Sequence, residues 1–368
     1  MTKHTALHAE HEKLGASFTD FGGWDMPLKY GSELAEHRAV REAAGLFDLS
    51  HMGEVRVEGP DAARFLNTAL VGNLAVVKVG KAKYSLICDE RGGIIDDLIS
   101  YRLADDRYLV VPNAGNAPIV FAALRERAAG FDVAVTDASA GTSLIAVQGP
   151  NALAILRGLV PEAQRSLVDD MPYYAADEAT VAGIGVLLAR TGYTGEDGFE
   201  LYVPNEQATG LWTALLEAGE AHGLVPAGLA ARDSLRLEAG MPLYGNELGL
   251  DTTPFEAGLG PVLSFKKEEA FVGRAALEAA KEAGPARVLV GLTGLGRRAA
   301  RGGYQVFAGD REIGVVTSGQ PSPTLGRPVA LAFVDPAFAE PGTALEIDLR
   351  GKREPFEVVP LPFYRRTA

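Results

Sequence analysis

Residues 57–62 read VEGPDA and residues 147–152 read VQGPNA, and this pair of similar stretches indicates how the chain is organised. Each places a glycine after a strand-like run and a proline where an apolar helical pattern begins, a position where the missing N–H of proline costs nothing. A second pair follows at nearly the same offset, YLVVPN at 108–113 and LYVPN at 201–205, and each precedes another helical pattern. The sequence therefore predicts a duplicated strand–helix–strand–helix unit.

The last part of the chain follows a different pattern. From Val288 onward, strand-like runs are separated by Gly and Pro turns, which predicts a small closed or folded-over β domain. Before that point helical and strand-like patterns alternate irregularly. One helix is predicted to begin near Ser32 and to end at Gly45.

Length and composition bound the class of protein. At 368 residues the chain is long enough for two or three domains. A hydrophobic fraction of 47% and a charged fraction of 23% are typical of a folded globular protein and exclude a disordered chain. The net charge of -13 disfavours nucleic acid as a partner, because a basic face would have to be assembled against that background.

The cysteine content and the absence of long apolar runs limit the cellular compartment that we expect. Cys88 is the single cysteine in the sequence, which excludes an intrachain disulfide and a zinc cluster built from thiolates. We expect Cys88 to be a small buried hydrophobic residue. No apolar signal segment precedes the first helical pattern, and no run of about 18 apolar residues occurs. We therefore expect a soluble, cytoplasmic protein with no membrane partner.

Two consecutive aspartates lie on a predicted hairpin, whose strands at 83–88 and 94–101 are joined by DERGG at 89–93. Strand alternation places Asp96 and Asp97 on opposite faces, so one of them points inward if a face packs. A buried carboxylate needs a hydrogen-bonding or cationic partner, or it takes up a proton. Two solvated acids at a strand edge are the alternative, and spacing alone does not decide between them.

A polar, Gly-rich turn at 191–198 leads into a strand that is another candidate site region. Glu196 and Asp197 lie in the turn, and we expect both to be solvated. Glu200 alternates with apolar neighbours on the strand that follows, so its side chain could point into a cleft. Arg232 lies on a predicted helix beginning at Gly228, where it serves either a surface ion pair or a ligand.

Metal and dinucleotide sites are not predicted. His4, His8 and His11 are spaced to share one helical face, and a solvated face is the interpretation we adopt, with no metal site. GLGRRA at 294–299 fits a loose dinucleotide fingerprint, but a Gly pair at 302–303 interrupts any following helix and no second βαβ unit follows. A Gly-x-Ser-x-Gly nucleophile motif does not occur.

Six stretches together resemble the glycine cleavage T-protein family. They fall in the family's order and span nearly the whole chain: GGWDMPL at 22–28, GLFDLSHMGE at 45–54, GGIIDDL at 92–98, RTGYTGEDGFE at 190–200, PAGLAARD at 226–233 and PFYR at 362–365. The resemblance implies an α+β, three-lobed folate-binding aminomethyltransferase fold, with two related α+β lobes plus a C-terminal β barrel. It implies a first, folate-binding lobe at 1–52 with 137–272, a second lobe at 53–136 and the barrel at 273–368.

The resemblance also implies a reaction. An aminomethyltransferase of the glycine cleavage system moves a methylene carbon from the aminomethyl-dihydrolipoyl arm of the lipoylated H-protein to tetrahydrofolate, the one-carbon acceptor substrate, and releases ammonia. Two alternatives of the same fold stay open: a folate-dependent demethylase and a non-catalytic folate-binding assembly factor. Such assembly factors carry a Lys-x-Cys-x-x-Gly signature in their second half, whereas the cysteine here is Cys88 in the hairpin.

Site residues follow from the same resemblance. It implies that Asp97 is the catalytic carboxylate, which stabilises an iminium-like centre, and that Glu200 accepts hydrogen bonds from the pterin ring. Arg232 and Arg365 suit either the glutamate tail of folate or the catalytic carboxylate. The remaining implied cavity-lining residues are Met52, Tyr84, Tyr101, Asn113 and Tyr193.

Overall fold

The computed structural model describes residues 2–367, within which the chain divides into two compact units. The first consists of Met1–Ala69, Asn73–Ser85 and Leu98–Arg232, and the second of Leu70–Gly72, Leu86–Asp97 and Asp233–Ala368. In this described part of the chain, no helix is long and apolar enough to cross a membrane.

Helices and strands are both distributed along the chain. The α-helices are α1 His8–Lys13, α2 Glu33–Glu42, α3 Ala62–Ala69, α4 Ala117–Arg127, α5 Ala152–Leu159, α6 Arg165–Asp170, α7 Asn205–Gly219, α8 Leu229–Glu238 and α9 Arg274–Ala283. Short 3-10 helices lie at Ser139–Gly141, Glu162–Gln164, Glu220–His222, Gly260–Val262 and Pro336–Phe338.

The strands fall into four groups by pairing. Their bounds are β1 Ser17–Phe21, β2 Trp24–Lys29, β3 Ala44–Asp48, β4 Val55–Glu58, β5 Lys81–Cys88, β6 Ile94–Ala104, β7 Arg107–Pro112, β8 Ala134–Asp137, β9 Thr142–Gln148, β10 Ala176–Val181, β11 Ile184–Ala189, β12 Gly198–Pro204, β13 Leu224–Pro226, β14 Val288–Gly294, β15 Gln305–Ala308, β16 Arg311–Pro321, β17 Pro328–Val334, β18 Ala344–Asp348 and β19 Arg353–Val359. Strands β1 and β2 form a separate antiparallel hairpin.

The main core of the first unit lies on a six-stranded sheet with the order β10-β11-β12-β9-β3-β13. Neighbouring strands are antiparallel except β13 and β3, which are parallel. Leu156 of α5 and Trp212 of α7 pack in one buried cluster with Val147 of β9. Because β12 lies between two partner strands, its side chains are held in register with β9, and Glu200 is paired with Ala146.

The two repeated stretches form the same local structure. VEGPDA leads from β4 into α3, and VQGPNA leads from β9 into α5. Gly59 and Gly149 have φ values of 142° and 133°, which side chains disfavour. A Cβ at Gly59 would lie 2.4 Å from the carbonyl oxygen of Asp132, and one at Gly149 would lie 2.6 Å from that of Ala43. Both turns therefore need glycine because another segment passes against each. The predicted strand–helix–strand–helix order is incomplete, because three strands lie between α3 and α4 and three lie between α6 and α7.

A five-stranded sheet with the order β5-β6-β7-β4-β8 contains the predicted hairpin. Its turn is closed by a hydrogen bond from the Asp89 N–H to the Gly93 carbonyl oxygen at 2.9 Å. The Asp89 side chain accepts from the Gly93 N–H at 2.8 Å, which holds the turn further. Cys88 is buried at the end of β5, so the expectation for this residue is confirmed.

The second unit contains a closed barrel with the order β14-β17-β16-β15-β18-β19. The predicted closed β domain is therefore confirmed. Its interior is apolar and includes Leu292, Val306, Ala332, Ile347 and Phe356, all buried. Closure leaves the barrel without a free strand edge.

Beside the barrel strands, within the same unit, a buried ion pair joins α8 to a loop. Arg236 Nη1 lies 3.2 Å from Glu247 Oε2, and both side chains are withdrawn from solvent. Ser318 of β16 donates to Glu247 Oε1 at 2.6 Å and accepts from Arg236 Nη2 at 2.8 Å. The charges are thus paired and hydrogen-bonded, as buried charges must be.

Two local expectations differ from the structure. The helix near Ser32 begins as expected, with the Ser32 hydroxyl accepting from the Ala35 N–H at 3.3 Å, but it ends at Glu42. Gly45 lies inside β3, where a Cβ would meet the Val40 side chain at 2.4 Å. Glycine is thus needed there for close packing of strand on helix rather than as a helix stop.

The expected shared face of the three N-terminal histidines is wrong. His4 precedes α1, His8 is its first residue, and His11 is fully buried. His11 Nε2 lies 2.8 Å from Asp48 Oδ2, and its Nδ1 lies 2.9 Å from the Tyr30 hydroxyl. Burial alone would raise the pKa of Asp48, but the bonds to His11 and to Ser50 lower it overall.

The predicted lobe boundaries stay a prediction. The six-stranded sheet draws its strands from 1–52 and 137–272, and the barrel draws its strands from 273–368. The five-stranded sheet uses residues 55–137, one residue beyond the predicted second lobe.

Candidate active site

Glu200 lies in the middle of β12, between two buried apolar neighbours. Phe199 and Leu201 point into the core of the first unit, so strand alternation turns Glu200 to the opposite face. Gly198 begins this strand, and a Cβ there would lie 2.4 Å from the amide nitrogen of Gln148. The strand is therefore held close to β9, and the position of the carboxylate is fixed by the sheet.

Two hydroxyl groups donate to the Glu200 carboxylate, and a third hydroxyl donates to one of them. The Thr191 hydroxyl donates to Glu200 Oε2 at 2.5 Å, and the Tyr101 hydroxyl donates to the same oxygen at 3.3 Å. The hydroxyls of Tyr101 and Thr191 are 2.9 Å apart, and the Tyr202 hydroxyl donates to that of Tyr101 at 3.3 Å. These four residues are called the Glu200 cluster below.

The two oxygens of Glu200 are used unequally. Both hydrogen bonds reach Oε2. Within residues 2–367, no donor bonds to Oε1. Because Gln148 Nε2 donates to the Thr191 carbonyl oxygen at 3.0 Å, the backbone that carries the Thr191 hydroxyl is also fixed. The cluster thus presents a preorganised acceptor oxygen.

Burial sets the proton affinity of the cluster. It raises the pKa of Glu200, while the Thr191 hydrogen bond, the charge of Arg232 and the Tyr101 hydrogen bond act in the opposite direction. Burial likewise raises the pKa of Tyr101 and of Tyr202 well above the ordinary value. Both tyrosines therefore remain neutral donors, and a proton or a hydrogen-bond donor at Glu200 is favoured over an isolated negative charge.

Arg232, near the start of α8, supplies the positive charge of this region. Its guanidinium lies over the Tyr193 ring, 4.4 Å from the ring centre. Burial, followed by the charge of Arg232, lowers the pKa of His51 to about 3, against the opposing effect of Asp48. His51 therefore stays neutral, with its ring edge against Phe21 at 5.5 Å.

The expectation that Glu196 and Asp197 are solvated is wrong for Glu196, which is buried, whereas Asp197 is partly exposed. Glu196 Oε1 lies 2.9 Å from Arg41 Nη1, and both side chains are nearly fully buried. Asp197 Oδ2 lies 2.6 Å from Arg190 Nη2, and the bond raises the pKa of that arginine. Both acids hold the Gly-rich turn in place, so this motif is an ordered support for β12 rather than a solvated loop.

The other predicted site residues are distributed over both units. In the first unit Met52, Tyr84 and Asn113 are partly exposed, and they lie after β3, within β5 and directly after β7. Asp97 and Arg365 belong to the second unit. Arg365 is exposed and donates to the Leu361 carbonyl oxygen at 3.5 Å.

The two consecutive aspartates differ in burial. Along β6, residues 94, 96, 98 and 100 are buried, whereas residues 95, 97 and 99 are partly exposed. Asp96 is the inward-pointing acid, with no exposed surface, and Asp97 lies on the partly exposed side of the strand. The alternative of two solvated acids is therefore wrong.

The sequence analysis identified Tyr101 and Glu200 as site residues but missed Thr191, Tyr202 and His51. Thr191 and His51 lie inside quoted motifs, and nothing in their spacing marks them as buried partners. Tyr202 could have been identified from the sequence, because it follows Glu200 by two positions and strand alternation places both side chains on one face.

Comparisons with known proteins define the class of protein. The family model described as GCVT N-terminal domain matches residues 7–267, and the one described as Glycine cleavage T-protein C-terminal barrel domain matches residues 287–365. The aminomethyltransferase of Corynebacterium aurimucosum is 61% identical over 99% of this chain and 98% of that protein. That of Streptomyces coelicolor is also 61% identical, over 99% of this chain and 98% of that protein.

A solved structure agrees with these relatives. Glycine cleavage system aminomethyltransferase T from Bartonella henselae superimposes with a TM-score of 0.91 at 41% identity, covering 99% of this chain and 98% of that one. The class is therefore that of the aminomethyltransferases, which are transferase enzymes. The chain belongs to the glycine cleavage T-protein family and is an aminomethyltransferase of the glycine cleavage system. The predicted α+β fold class with a C-terminal barrel is confirmed, and the demethylase and assembly-factor alternatives are not favoured.

Proposed function

We propose that this chain transfers the methylene carbon of an aminomethyl group from the dihydrolipoyl arm of the H-protein to tetrahydrofolate. The C–S and C–N bonds of the aminomethyl adduct break, and two bonds form from that carbon to N5 and N10 of the folate. The two protons lost from these nitrogens go to the released thiol and to ammonia. The family of the chain supports this reaction, and a cytoplasmic location remains a prediction.

The Glu200 cluster is the observation that carries the folate proposal. A reduced pterin offers adjacent N–H donors, which a carboxylate accepts in a bidentate, charge-assisted manner. Oε1 accepts no bond from within residues 2–367, and Oε2 is already oriented by Thr191 and Tyr101. The raised pKa of Glu200 supports a role in meeting donors, because a ligand N–H satisfies a carboxylate that burial disfavours.

Asp97 is the proposed catalytic carboxylate. Transfer passes through a cationic, iminium-like carbon, and a fixed negative charge in a water-poor site stabilises such a centre. A carboxylate also helps to carry a proton toward the leaving ammonia. The partly exposed side of β6 is compatible with this role, whereas Asp96 is buried and has no exposed surface to offer a substrate.

The remaining site residues are proposed to line the folate cavity. Tyr193 stacks under Arg232 and gives that guanidinium a fixed orientation, which suits recognition of a carboxylate. Arg365 offers a second, exposed guanidinium. Whether each arginine binds the glutamate tail of folate or the catalytic carboxylate is left for mutation to separate. The further proposed lining residues are Met52, Tyr84, Tyr101 and Asn113.

One experiment tests the reaction directly. The protein is mixed with tetrahydrofolate and aminomethylated H-protein, and ammonia and methylenetetrahydrofolate are measured. Equal amounts of the two products are expected. If neither product forms while the protein is folded, the proposed reaction is wrong.

A binding measurement tests the folate proposal separately. A ligand that binds only the folded state stabilises it by roughly 2.7 kcal/mol at about 100 times its dissociation constant. Tetrahydrofolate is therefore expected to raise the melting temperature. An unchanged melting temperature together with no heat of binding in calorimetry would contradict folate binding.

A further inference from the structure

Two histidines and an aspartate converge near the start of the first unit. His4 precedes α1, His8 begins it, and Asp25 is the second residue of β2. Asp25 Oδ2 lies 4.0 Å from His4 Nε2 and 3.9 Å from His8 Nε2. One donor atom from each of the three residues lies within 4.8 Å of the others. The spacing of the histidines in the sequence does not indicate that Asp25 lies beside them.

Backbone hydrogen bonds hold these donors in place. The Lys3 N–H donates to the Gly23 carbonyl oxygen at 2.9 Å, and the Asp25 N–H donates to the Lys3 carbonyl oxygen at 2.8 Å. The segment carrying His4 is therefore paired with the start of β2. Gly23 has a φ of 84°, which keeps the tight β1–β2 turn in a conformation that favours glycine.

Packing fixes the two imidazole rings as well. The His4 and His8 rings are stacked with centres 3.8 Å apart, and the His8 ring contacts Phe18 at 4.7 Å. The two rings thus lie face to face, and both Nε2 atoms lie near the carboxylate of Asp25. Side-chain exposures of 54% for His4 and 32% for Asp25 leave the cluster open to an ion from solvent.

The donor set selects a class of ion. Two imidazole nitrogens and one carboxylate oxygen suit zinc and its neighbours in the transition series, whereas magnesium and calcium prefer all-oxygen sites. Tetrahedral zinc bonds of about 2.0–2.1 Å place donor atoms roughly 3.3 Å apart. The observed separations of 4.0 and 3.9 Å between each Nε2 and Asp25 Oδ2 are longer, so metal binding requires the donor atoms to move closer and the two stacked rings to turn until both nitrogens face the ion.

We propose that His4, His8 and Asp25 bind one divalent transition-metal ion, with zinc as the preferred ion. Glu12 is one turn along α1, with its Oε1 3.9 Å from His8 Nε2, and can supply the fourth donor. Water is the other source of that donor. The ion joins the segment before α1 to β2, so its binding stabilises the folded N-terminal part of the first unit.

The surroundings of His8 set the strength of the site. Its Nδ1 is buried and has no hydrogen-bond partner among the described residues. Histidines that bind metal usually donate the second ring N–H to an oxygen, and loss of such a partner commonly lowers metal affinity by about 10–100-fold. We therefore expect weaker binding than at a site in which each histidine ligand has such a partner.

His11 does not belong to this site despite its spacing. Both of its ring nitrogens are engaged, with Asp48 on one side and Tyr30 on the other. Its ring also meets the Trp212 ring edge-on at 5.1 Å. Replacement of His11 would disturb the core, so it is not a useful test of metal binding.

The test uses the full chain after treatment with a chelator. Zinc binding is measured by calorimetry, and cobalt is then added to obtain the visible absorption of a tetrahedral nitrogen–oxygen site. We expect one ion per chain for both metals and a higher melting temperature with zinc. His4→Gln, His8→Gln and Asp25→Asn should each lower zinc affinity at least tenfold and remove the rise in melting temperature.

Two variants serve as matched controls. Glu10→Gln changes another acid of α1, one that pairs with Lys13, and His222→Gln changes a histidine of a distant 3-10 helix. Both should bind zinc like the unchanged chain. The proposal is overturned if the unchanged chain binds no zinc, or if binding survives in His4→Gln and Asp25→Asn. These two sites are partly exposed, so their variants remain informative even if His8→Gln fails to fold.

Discussion

Glu247 in the second unit is fully buried and Glu200 in the first is partly buried, and their hydrogen-bond partners differ in kind. Glu247 accepts from the Arg236 guanidinium and the Leu243 N–H through Oε2, and from Ser318 through Oε1. Glu200 accepts from two neutral hydroxyls, both through Oε2. One carboxylate is thus neutralised and fully bonded within its own unit, and the other keeps an acceptor oxygen.

This difference separates a structural carboxylate from the one proposed to bind a ligand. A buried charge that meets a cation and enough donors contributes to the folded state and has no capacity left for a ligand. A carboxylate whose donors are neutral keeps a raised pKa and gains from a further donor. The contrast predicts loss of stability on changing Glu247 and loss of binding on changing Glu200.

The largest expected effect concerns the ion pair. Replacement of Glu247 by Leu removes the buried carboxylate partner of Arg236 and leaves only the half-exposed Asp233 beside the guanidinium. Breaking a buried pair in this way costs up to about 3–5 kcal/mol. Chemical denaturation should show that loss in the free energy of unfolding. The double variant Arg236→Met with Glu247→Leu should recover much of it, because no buried charge is then left alone. Equal losses for Glu247→Leu and Glu200→Leu would remove the proposed distinction.

The next effect concerns the consecutive aspartates. Asp97→Asn keeps the volume of the side chain but removes the charge that stabilises a developing cation, and such losses lower turnover about 10²–10³-fold. Folate affinity should change much less, because the proposed anchor of the pterin is Glu200 and not Asp97. Asp96 is fully buried, so Asp96→Asn should lower stability and leave turnover of the folded protein nearly unchanged. Methylene transfer and folate affinity are measured in both variants, and an inactive Asp96→Asn with an active Asp97→Asn would reverse the assignment.

Folate affinity should respond to Glu200 by a smaller amount. Glu200→Gln keeps the shape of the side chain but replaces one acceptor oxygen by a donor that faces the donors of the pterin. Loss of a charge-assisted bond costs about 1.5–3 kcal/mol, so affinity should fall roughly tenfold or more. Calorimetry with tetrahydrofolate measures the change, and Glu178→Gln, which alters an exposed carboxylate on β10 of the same sheet, is the matched control. Unchanged affinity in Glu200→Gln would mean that Glu200 does not meet the ligand.

Several parts of the fold could be predicted from local pattern. Gly59 and Gly149 mark turns that only glycine fits, and each is followed by a proline at the opening of a helix. These constraints act between near neighbours in sequence, so they are visible in the sequence itself. The Gly and Pro turns after Val288 predicted a β domain for the same reason.

The rest depended on contacts between distant residues. Glu196 looked solvated because its partner Arg41 is 155 positions away in sequence. His11 of α1 looked exposed because its partner Asp48, at the end of β3, is 37 positions away. The family resemblance identified Tyr101 and Glu200 as site residues. It did not identify Thr191, whose hydrogen bond orients Glu200. Local spacing carries no information about such pairs, since they form only when the sheets assemble.

A third carboxylate extends the comparison and gives a pH dependence. Glu54 is 1% exposed, and neither of its oxygens has a hydrogen-bond partner within residues 2–367. Burial, followed by the charge of Asp137, raises its pKa from 4.5 to about 9. The folded state therefore keeps a proton that the unfolded chain releases above its ordinary pKa. Stability should fall as the pH rises from about 4.5 to about 9, by up to about 1.4 kcal/mol per pH unit.

Urea denaturation between pH 6 and pH 8 tests this sign, because that window lies inside the range over which Glu54 is protonated only in the folded state. Glu54→Gln is neutral at every pH, so the variant should lose less stability than the unchanged chain as the pH rises. Glu58→Gln, on the exposed side of β4, should keep the full slope. Parallel curves for Glu54→Gln and the unchanged chain would mean that Glu54 is ionised when folded. The charge of Glu54 would then have to be stabilised in the folded state, as the charge of Glu247 is. A buried carboxylate without a charged partner would then show the same ionisation as an ion-paired one.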